Sequence, residues 1–181
     1  MKREELERVL RAASRIIGEP DLLVVGSAAI LGSHDEDELP SAATRSDEAD
    51  LAPFNDPDGT RSMAIEGSLG AGSMFHESFG YYADGVSIDT AILGPGWRDR
   101  LLLFDPPGAY PGRGWCLEPH DLAAAKLAAG RPKDYEFVGA LLDTGLLDGP
   151  TLVARIKVLP ADRVLPAFQR RAQAWLKNRV G

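Results

Sequence analysis

The chain has 181 residues, of which 44% are hydrophobic and 26% charged, with one cysteine and a formal net charge of −7. That length suits one ordinary domain with a small helical extension and excludes two large independent ones. A single cysteine, Cys116, excludes an intramolecular disulfide, and no apolar run approaches the roughly 20 residues that span a bilayer.

The opening MKREELERVL lacks the apolar core of a signal peptide, so the expected location is the cytoplasm. Charge is uneven: residues 1–112 hold 9 basic and 20 acidic side chains, and residues 113–181 hold 11 and 7. An acidic half suits cations and a basic half suits phosphate or nucleic acid, although ordinary solvated surfaces give the same counts. The expected division is a core over 1–112 and a helical part over 113–181 packed on it as one unit.

Leu6, Val9, Leu10, Ala13, Ile16 and Ile17 recur at helical spacing over 3–17, with Gly18 as a stop. The run 22–25 reads as a buried strand, and Gly26-Ser27 then turns the chain into a short helix over 28–31. Residues 32–47 are polar and acidic and read as a mobile loop. Over 48–53 the chain reads as extended. Residues 54–80 show no sustained period and read as irregular, with Phe75, Phe79, Tyr81 and Tyr82 packed. A second extended region is expected over 81–93, where Val86, Ile88, Thr90 and Ile92 alternate with polar residues, and a third strand over 101–104. Four helices follow: from Glu118-Pro119 to Gly130, then 133–142, 152–158 and 164–179.

Ser46-Asp47-Glu48-Ala49-Asp50-Leu51 is the strongest local feature. Strand residues two apart share a side, so Glu48 and Asp50 project together and can hold Mg²⁺, an oxygen-seeking cation. Alone, such a pair is more often solvated surface. Gly26-Ser27 after a strand lets backbone N–H groups and a hydroxyl approach a phosphate, though a lone Gly-Ser is more often a plain turn. Asp89 can supply a third carboxylate or a structural hydrogen bond. Lys126, Arg131, Lys133 and Asp134 gather around a helix break, and cations balance charge that develops in phosphoryl transfer; surface charge is the competing reading. His34, His76, His120 and Cys116 lack zinc-ligand spacing.

In this order the pieces resemble the nucleotidyltransferase superfamily: Gly-Ser after the first strand, two carboxylates one residue apart, then a third on a neighbouring strand. Val25–Leu31, Ser46–Leu51, Phe75–Tyr82 and His120–Asp134 more closely resemble bacterial proteins near the AbiEii and MenT toxins of type IV toxin–antitoxin systems. The resemblance implies an α+β fold with a mixed sheet flanked by helices. It implies Gly26 and Ser27 for phosphates, Glu48 and Asp50 for metal with Asp89 as third ligand, Lys126 for the triphosphate with Arg131 beside it, and Asp134 as a further catalytic acid or base. The superfamily usually has Asp where Glu48 stands, unless Asp47 serves by a shift of register.

The function so implied is transfer of a nucleoside monophosphate from a nucleoside triphosphate to a hydroxyl, with Mg²⁺ or Mn²⁺. The acceptor would be tRNA or a protein side chain, and an antitoxin is a possible partner. A non-catalytic nucleotide-binding or interaction protein on the same fold is the alternative, favoured by Glu48. Were the acceptor tRNA, several of Arg155, Lys157, Arg163, Arg170, Arg171, Lys177 and Arg179 would face the cleft.

Overall fold

Leu6, Val9, Leu10 and Ala13 form one stripe of the first helix, α1 (Arg3–Ile17), and all four are fully buried. The 3.6-residue period sets that stripe, and Gly18 ends the helix as the sequence predicts. The computed structural model describes residues 1–165 and 167–180. Its sheet has strands β1 (Asp21–Val24), β2 (Glu48–Pro53), β3 (Tyr82–Gly85), β4 (Leu102–Phe104) and β5 (Arg113–Cys116), in the order β3-β2-β1-β5-β4. β1 runs antiparallel to β2 and parallel to β5, β2 runs parallel to β3, and β4 runs antiparallel to β5. This is the mixed sheet of the expected α+β fold, with helices flanking it.

Leu22, Leu23 and Val24 of the central strand are wholly buried. Both long-range partners of β1 come from later segments, so the centre of the sheet is assembled from residues spread over 21–116. The helices α2 (Ser41–Thr44), α3 (Thr60–Leu69) and α4 (Met74–Phe79) lie between strands, and α5 (Pro119–Ala129), α6 (Pro132–Asp143), α7 (Gly149–Lys157) and α8 (Phe168–Val180) follow the last one. The sheet takes in β5, so the helical part starts at Pro119 rather than at residue 113.

Four further expectations need correction. Residues 32–47 hold a 3₁₀ turn at Glu36–Glu38 and the short helix α2. Residues 54–80 contain α3 and α4, whose apolar positions are too sparse to show a period: α3 buries only Ser62, Ile65 and Leu69. The strand expected over 81–93 stops at Gly85, and a 3₁₀ turn at Ile88–Thr90 replaces its continuation. A Cβ on Gly85 would sit 1.9 Å from the carbonyl oxygen of Ser62, so α3 packs against the strand end and turns the chain away. The last helix begins at Phe168, later than the expected 164, and Pro166 lies outside the described residues.

α5 is placed by its ends and its apolar faces. Glu118 caps it by accepting from the Asp121 N–H at 3.2 Å, and Leu122, Ala123, Ala124 and Leu127 are buried. Asp121, 3% exposed, accepts from Arg100 Nε at 2.7 Å and Nη2 at 3.0 Å, with Arg155 Nε at 3.2 Å from the same carboxylate. One buried anion thus ties α5 to the turn before β4 and to α7. Removing one partner of a buried ion pair leaves the others uncompensated. Asp121→Ala is therefore expected to cost about 3 kcal/mol of folding stability, read as a lower urea midpoint at unchanged slope.

Candidate active site

β2 alternates as its sequence dictates: Ala49 and Leu51 are fully buried, while Glu48 and Asp50 are half-buried on the opposite face. β3 pairs with it in parallel so that Glu48 lies beside Tyr82 and Asp50 beside Asp84. Side chains directly across a parallel pair share a face, so Asp84 joins the two acids. Ligand oxygens of Glu48, Asp50 and Asp84 lie within 4.8 Å of one another. The third carboxylate is thus Asp84. Asp89 sits past the strand end on the 3₁₀ turn, with an 88% exposed side chain 3.8 Å from Arg163 Nη1, and takes no part in the cluster.

Gly26 closes the cluster from behind. The Val25 N–H donates to the Asp50 carbonyl at 3.1 Å, and a Cβ on Gly26 would lie 1.6 Å from Asp50 Oδ2. No side chain fits there. Burial, then the charge and hydrogen bonding of Glu48, push the Asp50 carboxyl up to about 7, against an opposing pull from Lys126. Burial, then the charges of Glu66 and Glu48, push Asp84 up to about 6. Asp84 Oδ1 is buried without a hydrogen-bond partner. Three crowded carboxylates with one orphaned oxygen fit a hard divalent cation such as Mg²⁺ or Mn²⁺, which prefers oxygen ligands and relieves their repulsion.

Cations form the facing wall. Lys126, 7% exposed on α5, donates from Nζ to Ser27 Oγ at 2.9 Å and lies 3.5 Å from Asp134 Oδ1. Its Nζ also sits 4.5 Å from the centre of the Phe137 ring. Arg131 grips Asp134 through Nε at 2.7 Å and Nη2 at 3.2 Å. Burial lowers the Lys126 pKa; Asp134 opposes this and Arg131 adds to it. Burial raises the Asp134 carboxyl, but the Arg131 hydrogen bonds and both cations outweigh it and the net shift is downward. The two shifts are consistent because one anion serves two cations: Asp134 is over-compensated and Lys126 under-compensated.

The cleft between the walls has a volume of about 110 Å³ and is lined by Gly26, Ser27, Glu48 and Asp50 on one side and Lys126 and Arg131 on the other. It brings together every expected site residue except Asp89, with Asp134 buried behind its cationic wall. Asp84 lies inside the extended region expected over 81–93, but the clearer alternation over 86–92 points to Asp89 as the third acid instead. The available signal was Ala83 between two polar residues ahead of a glycine. None of the seven late-chain cations lines this cleft, and Arg155, Arg163 and Arg179 are paired with Asp121, Asp89 and Asp143.

The raised carboxyls give a signed pH dependence. A folded-state pKa above the unfolded value means that the folded chain holds its proton longer, so this contribution is full below the ordinary Asp range and is lost as pH rises through about 7 for Asp50. Without added metal, Asp50→Asn should therefore be about as stable as the unaltered chain near pH 4 and more stable by about 2 kcal/mol at pH 8, a figure discounted for the open side of the cleft. Urea titrations of both proteins across that range measure the divergence, and a constant difference would contradict it.

No curated protein and no solved structure matches the chain. Residues 4–159 match the family described as nucleotidyltransferase of unknown function (DUF6036), a span that covers the whole sheet, the carboxylate cluster and the cationic wall. No helix among the described residues is long and apolar enough to cross a membrane. With that match over most of its length, the chain belongs to this nucleotidyltransferase family.

Proposed function

We propose that the chain moves a nucleoside monophosphate from a nucleoside triphosphate to an acceptor hydroxyl. One observation carries this reading: Lys126 meets Ser27 at 2.9 Å across 99 residues of sequence, in a cleft whose other wall presents Glu48 and Asp50. Glu48, Asp50 and Asp84 would hold Mg²⁺ or Mn²⁺, which supplies Lewis-acid polarisation of the α-phosphoryl group and neutralises the phosphates. Ligand pockets generally run from about 300 to 1,000 Å³, so the 110 Å³ cleft takes phosphates rather than a whole nucleotide. A second cleft of about 200 Å³ shares Ser27, Ser46, Lys126 and Lys133 with it and adds Arg45. Ser27, Lys126 and Lys133 therefore bind the outer phosphates, Arg131 stands at the mouth, and the nucleoside lies outward.

In the reaction the acceptor oxygen bonds to the α-phosphorus as the bond to the α–β bridging oxygen breaks and pyrophosphate leaves. Asp84, which would share the cation with Glu48 and Asp50, is the carboxylate we assign to receive the hydroxyl proton. Asp134 is a positioning residue: wholly buried and gripped by two cations, it orients Lys126 and Arg131 rather than exchanging protons.

The non-catalytic alternative drew its support from Glu48, and the reach of that carboxylate into the cluster favours turnover instead. None of the seven late-chain cations lines the cleft and three of them, Arg155, Arg163 and Arg179, are paired with acids, which favours a protein or small-molecule hydroxyl over tRNA. A toxin-like role with an antitoxin partner rests on the sequence resemblance.

Incubation with each labelled triphosphate, Mg²⁺ or Mn²⁺ and cell lysate should label an acceptor. Asp50→Asn should abolish labelling with the fold intact, and Lys126→Ala should weaken triphosphate binding and slow transfer by about 100-fold or more. Absence of metal-dependent triphosphate binding by the unaltered chain would remove the enzymatic reading.

A further inference from the structure

We infer that Tyr82 is a positioning residue that allows a glutamate to serve as the first acid of the site, by fixing one oxygen of Glu48 and leaving the other for a cation. This rests on the metal-binding reading above. The Tyr82 hydroxyl donates to Glu48 Oε2 at 3.3 Å. The contact follows from register, because Glu48 and Tyr82 are direct neighbours across the parallel β2–β3 pair.

A glutamate in place of an aspartate brings one more methylene and one more freely rotating bond, so its carboxylate reaches further by about 1 Å and has more orientations to lose on binding. A donor on one oxygen limits that freedom. It selects the orientation, and it occupies a lone pair that would otherwise compete for the cation. An aspartate at this position would retract from the hydroxyl.

Tyr82 is itself held. Its ring lies 4.8 Å from that of His76, centre to centre, and His76 Nδ1 accepts from the Gly72 N–H at 3.0 Å. The loop before α4, the imidazole, the phenol and Glu48 thus form one chain of contacts that ends on the cluster. β3 is the outer strand of the sheet, so nothing beyond it in the sheet braces Glu48 from that side. Second-layer hydrogen bonds of this kind commonly change metal affinity by about 10-fold or more.

The test is Mn²⁺ affinity of the full chain by isothermal titration calorimetry, with thermal melts as a check on folding, for the unaltered protein, Tyr82→Phe, Glu48→Asp and the double variant. Tyr82→Phe should weaken Mn²⁺ binding about tenfold without moving the melting temperature of the metal-free protein. Glu48→Asp should weaken it as well, and in that background Tyr82→Phe should have no further effect, since the contact is already lost. An unchanged affinity in Tyr82→Phe, or the same loss in both backgrounds, overturns the inference. Were Tyr82→Phe not to fold, Glu48→Asp alone decides, because affinity equal to that of the unaltered chain overturns it. Failure of the unaltered chain to bind Mn²⁺ instead overturns the metal reading itself.

Discussion

The cleft depends on how closely the backbone at Gly26 is pressed against the side chain of Asp50. The antiparallel register of β1 and β2 sets that approach, with Val24 opposite Leu51 and the Val25 N–H on the Asp50 carbonyl. Space for a carboxylate exists there only because position 26 carries no Cβ. The same contact strips water from Asp50, and the stripped carboxylate then faces two more acids. Everything across the cleft answers this accumulation of negative charge.

The answer comes from helices that owe their position to apolar packing. α5 is alanine-rich and nearly all buried, which lets its backbone run close to the turn after β1 and delivers Lys126 to Ser27. Burying that ammonium would be costly were it isolated. Asp134 offsets the cost, and the aromatic face of Phe137 adds to it. Arg131 then takes most of the hydrogen-bonding capacity of Asp134, so Lys126 is left with charge to spare toward the cleft. The acidic first part of the chain and the basic later part are, at this point, two walls of one electrostatic device.

What could be read from the sequence was what short-range patterns encode. The stripe of α1, the apolar run of β1, the Glu48/Asp50 alternation and the capped, glycine-ended α5 are each legible within a window of about 15 residues. Lys126 and Asp134 stood out because charge among alanines and leucines demands a partner. Other features resisted because their signals are long-range. β5 is a four-residue strand, and its pairing with β1 is specified by residues about 90 positions away. α3 holds its place through two apolar side chains and a buried serine rather than a stripe. Asp84 belongs to the site because it lies opposite Asp50, and register across strands is invisible to any pattern read along one strand. Asp89 had the better local pattern and the wrong neighbours.

The 99-residue separation of Ser27 and Lys126 bears on how the protein comes into being. Contacts so distant in sequence form late, after the entropy of closing a long loop has been met. During synthesis, the acids of β2 and β3 leave the ribosome well before α5 and α6 can bring their cations. For that interval the nascent chain presents an uncompensated acidic surface and an unpaired β1 edge where β5 will dock. A cation captured early, or a chaperone that shields that edge, would ease assembly. The order of synthesis thus brings out the acids of the site before the cations that balance them.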